Sequence, residues 1–140
     1  MTSDEARVRA LDLLNTAGFA FLGTNGPDGV PWIKAMFKME NEGLERVFFS
    51  TNMSSKRVAM IADDGRASVY VAETGSFRGL LLLGTAEVQA DRDARERIWR
   101  EGFERYYPLG INDPDYSVIV FNAQRANYYE MLANVTFNIP

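Results

Sequence analysis

The sequence has 140 residues, of which 46% are apolar and 24% charged, so it can bury one core as a single domain over residues 1–140. Its 15 basic and 19 acidic side chains give a net charge of −4, which argues against a nucleic-acid partner because such partners require a basic face. Cys and His are absent, which excludes disulfides, thiol nucleophiles, Ser-His-Asp triads, the usual structural zinc sites and the commonest proximal haem ligand.

The N-terminal segment predicts a cytoplasmic protein. Residues 1–15 are charged and lack the apolar region of a signal peptide. Unbroken apolar runs such as residues 80–83 are far too short to cross a bilayer, so no membrane partner is expected.

Capping residues and apolar periodicity predict three helices, over residues 3–16, 56–62 and 92–105. The first begins with a capping box formed by Thr2 and Glu5, and Ser54 or Ser55 caps the second. Trp99 and Phe103 lie on the apolar stripe of the third helix, and we assign both to packing. The tyrosines that follow could stack on a ligand ring or close an interface, and both interpretations stay open.

Period-2 alternation and turn residues predict six strands, over residues 19–24, 30–39, 46–51, 67–72, 77–90 and 116–121. Turns at residues 25–29 and 41–43 join the first three strands, so we expect these strands to form a meander. The fifth strand should be broken or bulged near Gly79 or Gly84. Residues 127–132 continue or follow the last strand, and the tail to Pro140 has no clear pattern.

These elements predict a mainly β, α+β fold in which antiparallel strands are surrounded by about three peripheral helices. No internal repeat or linker divides the chain. A small closed barrel is favoured over an open sheet, because closure leaves no unprotected strand edge.

A cluster of hydroxyl groups and a cation lies where the third strand ends and the second helix begins. It comprises Ser50, Ser54, Ser55 and Lys56. Free backbone N–H groups at a helix start, hydroxyl donors and a lysine together favour a phosphate group. Two serines before a helix are also ordinary N-capping residues, and this alternative stays open.

The second predicted strand carries two lysines on one face. Alternation places Lys34, Met36 and Lys38 on the same side of this strand. The lysines could simply be solvated, or Lys34 could reach an anion beside an apolar wall formed by Met36.

Taken together, these segments resemble the pyridoxamine 5'-phosphate oxidase-like family of FMN-binding split barrels, over about residues 19–129. The most specific part is a gapless match over residues 34–56. Lys34-Ala35-Met36 corresponds to the family's basic residue and short apolar stretch. Residues 48–51 supply an aromatic pair and a Thr, and residues 54–56 supply Ser-x-Lys. The likeness extends to the short general-stress-protein type, which is little more than the barrel.

The resemblance implies a six-stranded antiparallel split β-barrel that forms a homodimer, with FMN in each groove between subunits. It implies that the phosphate and ribityl chain are held by Lys34, Ser54, Ser55 and Lys56. Thr51 is also implied to be a cofactor-binding residue. It also implies that the isoalloxazine ring is lined by backbone groups of Ala35, Met36, Phe49 and Ser50.

The sequence departs from the oxidases proper at several positions. Ser50 stands where the family often has Thr, and Ser55 stands where the oxidases have Arg. Arg78 and Gly79 are implied cofactor-binding residues that stand where the oxidases have Arg-Gln, but Gly79 cannot supply the amide contact of that Gln. The true oxidases end in a segment with Trp and Arg that binds the substrate phosphate, whereas this chain has no Arg after Arg125.

The resemblance therefore implies an FMN-dependent oxidoreductase that is not a pyridoxine phosphate oxidase. It would pass hydride or electrons between a reduced nicotinamide and a small acceptor that the sequence does not identify. One alternative is a non-catalytic flavin carrier or stress-linked redox sensor. Another is a deazaflavin-dependent reductase of the same fold, whose acidic cofactor tail would have only four basic candidates: Lys34, Lys38, Lys56 and Arg57.

Overall fold

One curled antiparallel sheet organises the chain in a computed structural model that describes residues 1–140. Its strands are β1 (Phe19–Asn25), β2 (Pro31–Phe37), β3 (Glu40–Glu42), β4 (Arg46–Asn52), β5 (Arg66–Glu73), β6 (Arg78–Gln89), β7 (Tyr116–Glu130) and β8 (Ala133–Asn138). They pair in the order β2-β1-β5-β6-β7-β4-β3, and β8 pairs with β7. The mainly β split-barrel prediction is confirmed, but the sheet has eight strands rather than six.

Two short strands were not predicted. β3 is only three residues long and includes Asn41 and Glu42, which were predicted to form a turn. β8 lies in the tail, where the alternation of Ala133, Val135 and Phe137 with polar residues is a strand signal that the sequence analysis missed. Both strands form because a neighbouring strand offers free backbone groups.

Three helices lie against the sheet, α1 (Ser3–Thr16), α2 (Lys56–Asp63) and α3 (Arg92–Ile98). The capping box at α1 is confirmed, since the Glu5 N–H donates to Thr2 Oγ1 at 3.1 Å. The third helix is shorter than predicted, because Trp99 is already extended and Gly102 has φ +95°. Residues 103–105 form a separate 3-10 turn. None of the three helices is both long and apolar enough to span a membrane.

The predicted meander is wrong beyond its first hairpin. β1 and β2 pair as expected, with Phe19 opposite Phe37, but β4 pairs with β7 and β3 instead of β2. The connection after β2 crosses between the two margins of the curled sheet. The Lys38 N–H donates to the Gly18 carbonyl at 3.1 Å, and the next N–H, of Met39, donates to Phe48 at 3.0 Å. A short connection can cross in this way because curling brings the two margins together.

Closure is therefore partial, and the expectation of a barrel without open edges is wrong. Beyond the crossing, β2 and β4 are not hydrogen-bonded to each other. Only Met36 is buried among the residues of β2. The split between these strands positions the groove described below.

The predicted irregularity of the long fifth strand is confirmed at Gly84. The pairing register of β6 and β7 shifts between Leu83 and Gly84. A Cβ atom at Gly84 would overlap the Asn122 carbonyl, so the bulge requires glycine there.

The main core fills the barrel and the space under α1. It contains 22 buried residues, among them Phe49, Phe121 and Tyr128. A smaller cluster of seven packs α3 on the outside of the barrel around Tyr116. The Trp99 ring lies 5.2 Å from that of Tyr116 and 5.4 Å from that of Phe103, which confirms a packing role for both predicted residues.

Candidate functional site

The split between β2 and β4 opens into a groove that consists of two joined cavities. The first, of about 500 Å³, is the tyrosine half, and its lining includes Lys34, Ala35, Met36, Phe37, Ser50, Asn52, Arg57, Tyr106, Tyr107 and Asp115. The second, of about 480 Å³, is the helix half, and its lining includes Thr24, Trp32, Lys34, Asn52, Ser54, Ser55, Lys56 and Arg57. Three residues line both halves, Lys34, Asn52 and Arg57.

Positive charge is concentrated in the helix half although the whole chain is acidic. Lys34, Lys56 and Arg57 line this cavity, and no carboxylate does. None of the three has an acidic partner within 4.0 Å. The three cations are therefore not neutralised by direct ion pairs, and the helix half favours an anionic ligand.

Arg57 is the least satisfied of these cations. Its Nη2 donates to Thr51 Oγ1 at 3.2 Å, while its Nε is buried without a hydrogen-bond partner. Burial lowers the pKa of Arg57 below its ordinary value, but a guanidinium remains charged at neutral pH. A half-buried charge without an acidic partner is unfavourable, and an anion in the groove would reduce that cost.

The first turn of α2 adds two free donors. The backbone N–H groups of Lys56 and Arg57 have no acceptor within the chain. They lie at the positive end of the helix dipole, beside the cationic side chains of the same two residues. This combination suits a phosphate group.

The two predicted serines make contacts within the protein. Ser55 is the N-cap of α2, and its Oγ accepts the Val58 N–H at 3.4 Å, so the capping interpretation holds for this residue. Ser54 donates from its N–H and its hydroxyl to the two carboxylate oxygens of Asp115, at 2.9 and 3.3 Å. Asp115 thereby orders the turn before α2.

Most of the other predicted residues lie at the groove. Lys34, Ala35, Met36 and Ser50 line the tyrosine half. Phe49 and Thr51 are buried beneath it, and the hydroxyl of Thr51 supports Arg57.

Arg78 and Gly79 line neither half of the groove within the single chain. Arg78 pairs with Asp12 at 3.5 Å and with Glu73 at 3.4 Å. Gly79 lies opposite Tyr129 in the sheet, where a Cβ atom would overlap the tyrosine ring.

Two tyrosines whose roles the sequence left open lie at the tyrosine half. Tyr106 is largely exposed, whereas Tyr107 is buried. Burial raises the pKa of Tyr107, and its neighbours Ser50 and Arg57 oppose part of that shift. Tyr107 is therefore protonated at neutral pH and can donate a hydrogen bond into the groove.

From the sequence, Arg57 was expected only as a possible partner for the acidic tail of a deazaflavin cofactor, and its place at the groove was missed. A second basic residue directly after Lys56, in the first turn of a short helix, was the available signal. That the guanidinium lacks an acidic partner depends on long-range packing and could not be read from neighbouring residues.

Comparisons with known proteins agree with the fold and with the residue match. The model of a family described as pyridoxamine 5'-phosphate oxidase matches residues 7–130. A protein from Clostridium acetobutylicum, related to general stress protein 26 and assigned to the pyridoxinephosphate oxidase family, is 38% identical with a TM-score of 0.87. The match covers 99% of this chain and 97% of that one. A comparison with curated proteins found no match.

More distant structures share the fold alone. General stress protein 26 from Bacillus anthracis is 17% identical with a TM-score of 0.79, over 95% of this chain and 98% of that one. A haem-binding protein from Mycobacterium smegmatis is 20% identical with a TM-score of 0.75, over 99% of this chain and 60% of that one. The family match and the 38% identical structure confirm the resemblance first inferred from residues 34–56. The chain therefore belongs to the pyridoxamine 5'-phosphate oxidase family, whose members commonly bind flavin.

Proposed function

We propose that the protein binds FMN in the groove between β2 and β4 and acts as a flavin-dependent oxidoreductase. The observation that carries this proposal is the half-buried guanidinium of Arg57, which has no acidic partner and lies in a cavity that Lys34 and Lys56 also line. A phosphate dianion would neutralise this guanidinium and accept from the two free N–H groups at the start of α2.

The groove offers different chemistry to the two ends of such a ligand. The helix half would hold the phosphate through Lys34, Lys56 and Arg57. The tyrosine half would receive the ring, with Met36 as an apolar wall and Ser50 and Tyr107 as polar neighbours. Ser54 would contribute indirectly, because its donors bind Asp115.

The flavin would supply the redox chemistry, and the residues of the chain would bind it, orient it and limit its contact with water. Tyr107 is buried at the tyrosine half, and its hydroxyl keeps its proton at neutral pH. We propose a reduced nicotinamide as the electron donor and a small molecule as the acceptor. The expected cytoplasmic location is part of this proposal.

We further propose that the functional unit is a homodimer. The outward face of β1 and β2 exposes four large apolar side chains, Phe19, Phe21, Ile33 and Phe37. Such a patch is unusual on a monomer and is typical of an interface. Ala35 and Phe37 belong both to this face and to the tyrosine half, so a second copy bound to the face would also cover the groove.

The predicted contacts of Arg78 and Gly79 would require a second copy of the chain, because neither residue lines a groove of its own chain. Gly79 is itself buried, beneath the Tyr129 ring. We do not propose oxidation of pyridoxine phosphate, because β8 carries neither Trp nor Arg to bind a substrate phosphate.

The direct test is to titrate FMN into the ligand-free protein and follow quenching of flavin fluorescence. We expect saturable binding at micromolar FMN or below, loss of yellow colour on adding reduced nicotinamide, and return of colour with an acceptor. Colour that does not respond to the nicotinamide supports the carrier or sensor instead.

If a deazaflavin or haem binds and FMN does not, that molecule would replace FMN as the proposed cofactor. Absence of any FMN binding would overturn the proposal. Retention of FMN binding by Arg57→Met at wild-type affinity would overturn the assignment of the site.

A further inference from the structure

Given the proposed flavin site and homodimer, we propose that Tyr129 completes the groove of the other subunit by donating a hydrogen bond from its hydroxyl to the flavin ring. Tyr129 lies on β7, and its hydroxyl oxygen lies 2.6 Å from that of Tyr70 on β5. Neither tyrosine lines the groove of its own chain. Each ring site is therefore built by residues of both copies.

The Tyr70–Tyr129 pair has one hydroxyl hydrogen to spare. Two protonated tyrosines carry two O–H donors, and the bond between them uses one. Neither hydroxyl makes a second hydrogen bond within the chain. Both side chains are half-buried, and a second copy packed on them would bury the spare donor completely. Such a donor needs an acceptor on the other side of the interface.

The Tyr129 ring is fixed in place by two neighbours. Gly79 lies opposite Tyr129 in the sheet, and a Cβ atom at Gly79 would lie 2.6 Å from the Tyr129 hydroxyl oxygen. The missing side chain therefore lets the ring lie across β6 and reach Tyr70. The Phe77 ring packs edge-on against the Tyr129 ring, with the centroids 5.9 Å apart. A donor held in this way loses little freedom when it binds.

The tyrosine pair lies on the same outward face of the sheet as the apolar side chains of the proposed interface. Tyr70 is directly opposite Phe21, and residues opposite one another in a sheet share a face. This face runs across β2, β1, β5, β6 and β7 in that order. On β8, the next strand, the outward side chains of Asn134 and Thr136 are polar and exposed. The apolar face thus ends at β7, and β5 is its central strand.

Two-fold symmetry brings the two ends of this face together. In a symmetric homodimer the same patch meets itself, so an axis at the central strand places one end of the face against the other. Covering the whole apolar face therefore places β7 of one copy against β2 of the other. Ala35 and Phe37 of β2 line the tyrosine half, which is the proposed ring site. The carbonyl oxygens and ring nitrogens of a flavin are acceptors for the spare donor of Tyr129.

Tyr129→Phe removes the hydroxyl and keeps the ring. Loss of one hydrogen bond should weaken FMN binding about 2- to 13-fold. The midpoint potential of the bound flavin should become more negative, because a donated hydrogen bond stabilises the electron-rich reduced ring. Tyr70→Phe is the matched control, since it removes the same bond within the chain but leaves the Tyr129 donor, and it should shift the potential less. Sedimentation velocity measures whether each variant remains a dimer.

A mixed dimer tests whether the hydroxyl acts across the interface. Two differently tagged chains, one with Arg57→Met and the other with Tyr129→Phe, are co-expressed, and the dimer that carries both tags is purified. The groove of the Tyr129→Phe chain then has its own Arg57 and an intact Tyr129 from the other copy. We expect one site per mixed dimer with wild-type FMN affinity and potential. If Tyr129 acted on the groove of its own chain, both sites would be defective.

The outcomes separate this inference from the proposed function. If the dimer binds FMN and Tyr129→Phe changes neither affinity nor potential, the inference fails and the flavin site stands. Equal potential shifts in the Tyr129 and Tyr70 variants, or a mixed dimer without a wild-type site, overturn it as well. FMN binding that weakens only in proportion to loss of the dimer also overturns it, because the hydroxyl would then serve assembly alone. If the wild-type chain binds no FMN, both proposals fail.

Discussion

Arg57 Nη2 lies 3.2 Å from Thr51 Oγ1, and this is the one hydrogen bond that the protein gives to the Arg57 guanidinium. Thr51 is buried near the end of β4, and Arg57 is in the first turn of α2. The bond therefore ties the strand to the helix across the turn that Asp115 orders. It holds a cation at the groove without neutralising it.

Replacing Arg57 with Met should affect ligand binding and folding in opposite ways. We expect FMN affinity to fall by about 1.5–3 kcal/mol, the usual contribution of a hydrogen bond to a charged group. The free energy of unfolding without ligand should stay the same or rise, because a half-buried charge without an acidic partner is removed. Fluorescence titration and urea unfolding measure the two effects, and a variant that loses stability but keeps its affinity would contradict this account.

Replacing Lys56 with Glu should weaken FMN binding by roughly 2 kcal/mol or more, because a carboxylate would face the phosphate at a helix start. Arg92→Glu is the matched control, since Arg92 is exposed and lines neither half of the groove. Arg95 is unsuitable as a control because its Nη1 donates to the carbonyls of Ile111 and Asp113. Equal affinity in the Lys56 and Arg92 variants would rule out the phosphate position.

Replacing Ile33 with Asp should convert a dimer into a monomer. Ile33 is 72% exposed on the proposed interface, and burying an unpaired carboxylate there is costly. Val8→Asp is the control, because Val8 is 70% exposed on α1, away from that face. Sedimentation velocity distinguishes the species, and FMN affinity should fall together with dimerisation. A wild-type protein that sediments as a monomer at all concentrations would refute the interface.

Alkaline pH should destabilise the fold through Tyr116. Burial raises the pKa of Tyr116 to about 12, whereas an unfolded tyrosine titrates near 10. Between these values the unfolded chain loses the proton and the folded chain keeps it, so the free energy of unfolding falls as the pH rises. The loss through this group is at most about 2–3 kcal/mol.

Tyr116→Phe should reduce this dependence between about pH 10 and pH 12, while Tyr70, Tyr107 and Tyr128, whose pKa values are also raised by burial, keep part of it. At neutral pH the variant should be less stable by about 1 kcal/mol, because the Tyr116 hydroxyl donates to the Arg95 carbonyl at 2.7 Å. Tyr106→Phe, at an exposed position, should leave the slope unchanged. Urea midpoints at several pH values would measure both, and identical slopes in wild type and Tyr116→Phe would refute the assignment.

Adding a methyl group at Gly79 should disturb the packing of Tyr129. A Cβ atom at Gly79 would overlap the Tyr129 ring, whose hydroxyl lies 2.6 Å from that of Tyr70. We expect Gly79→Ala to lower the free energy of unfolding by about 1–3 kcal/mol. Gly75→Ala, where no atom lies within 4 Å of the added carbon, should have little effect on thermal unfolding.

Local patterns predicted the elements that depend on neighbouring residues. The α1 capping box and the β1–β2 hairpin are confirmed, because each depends on side chains a few positions apart. The bulge at Gly84 was also predicted, since a glycine inside a long strand is a local signal. The gapless match over residues 34–56 identified the family for the same reason.

What the sequence by itself determined was thus the mainly β fold class, most strand positions and the family. Only the tertiary structure decided that β4 pairs with β7, that the tail adds β8, and that Arg57 lies at the groove without an acidic partner. The physical reason is the separation of the interacting residues along the chain. Pairing across a curled sheet, and the presence or absence of a counter-charge, depend on residues that are distant in the chain and become neighbours only when the barrel closes.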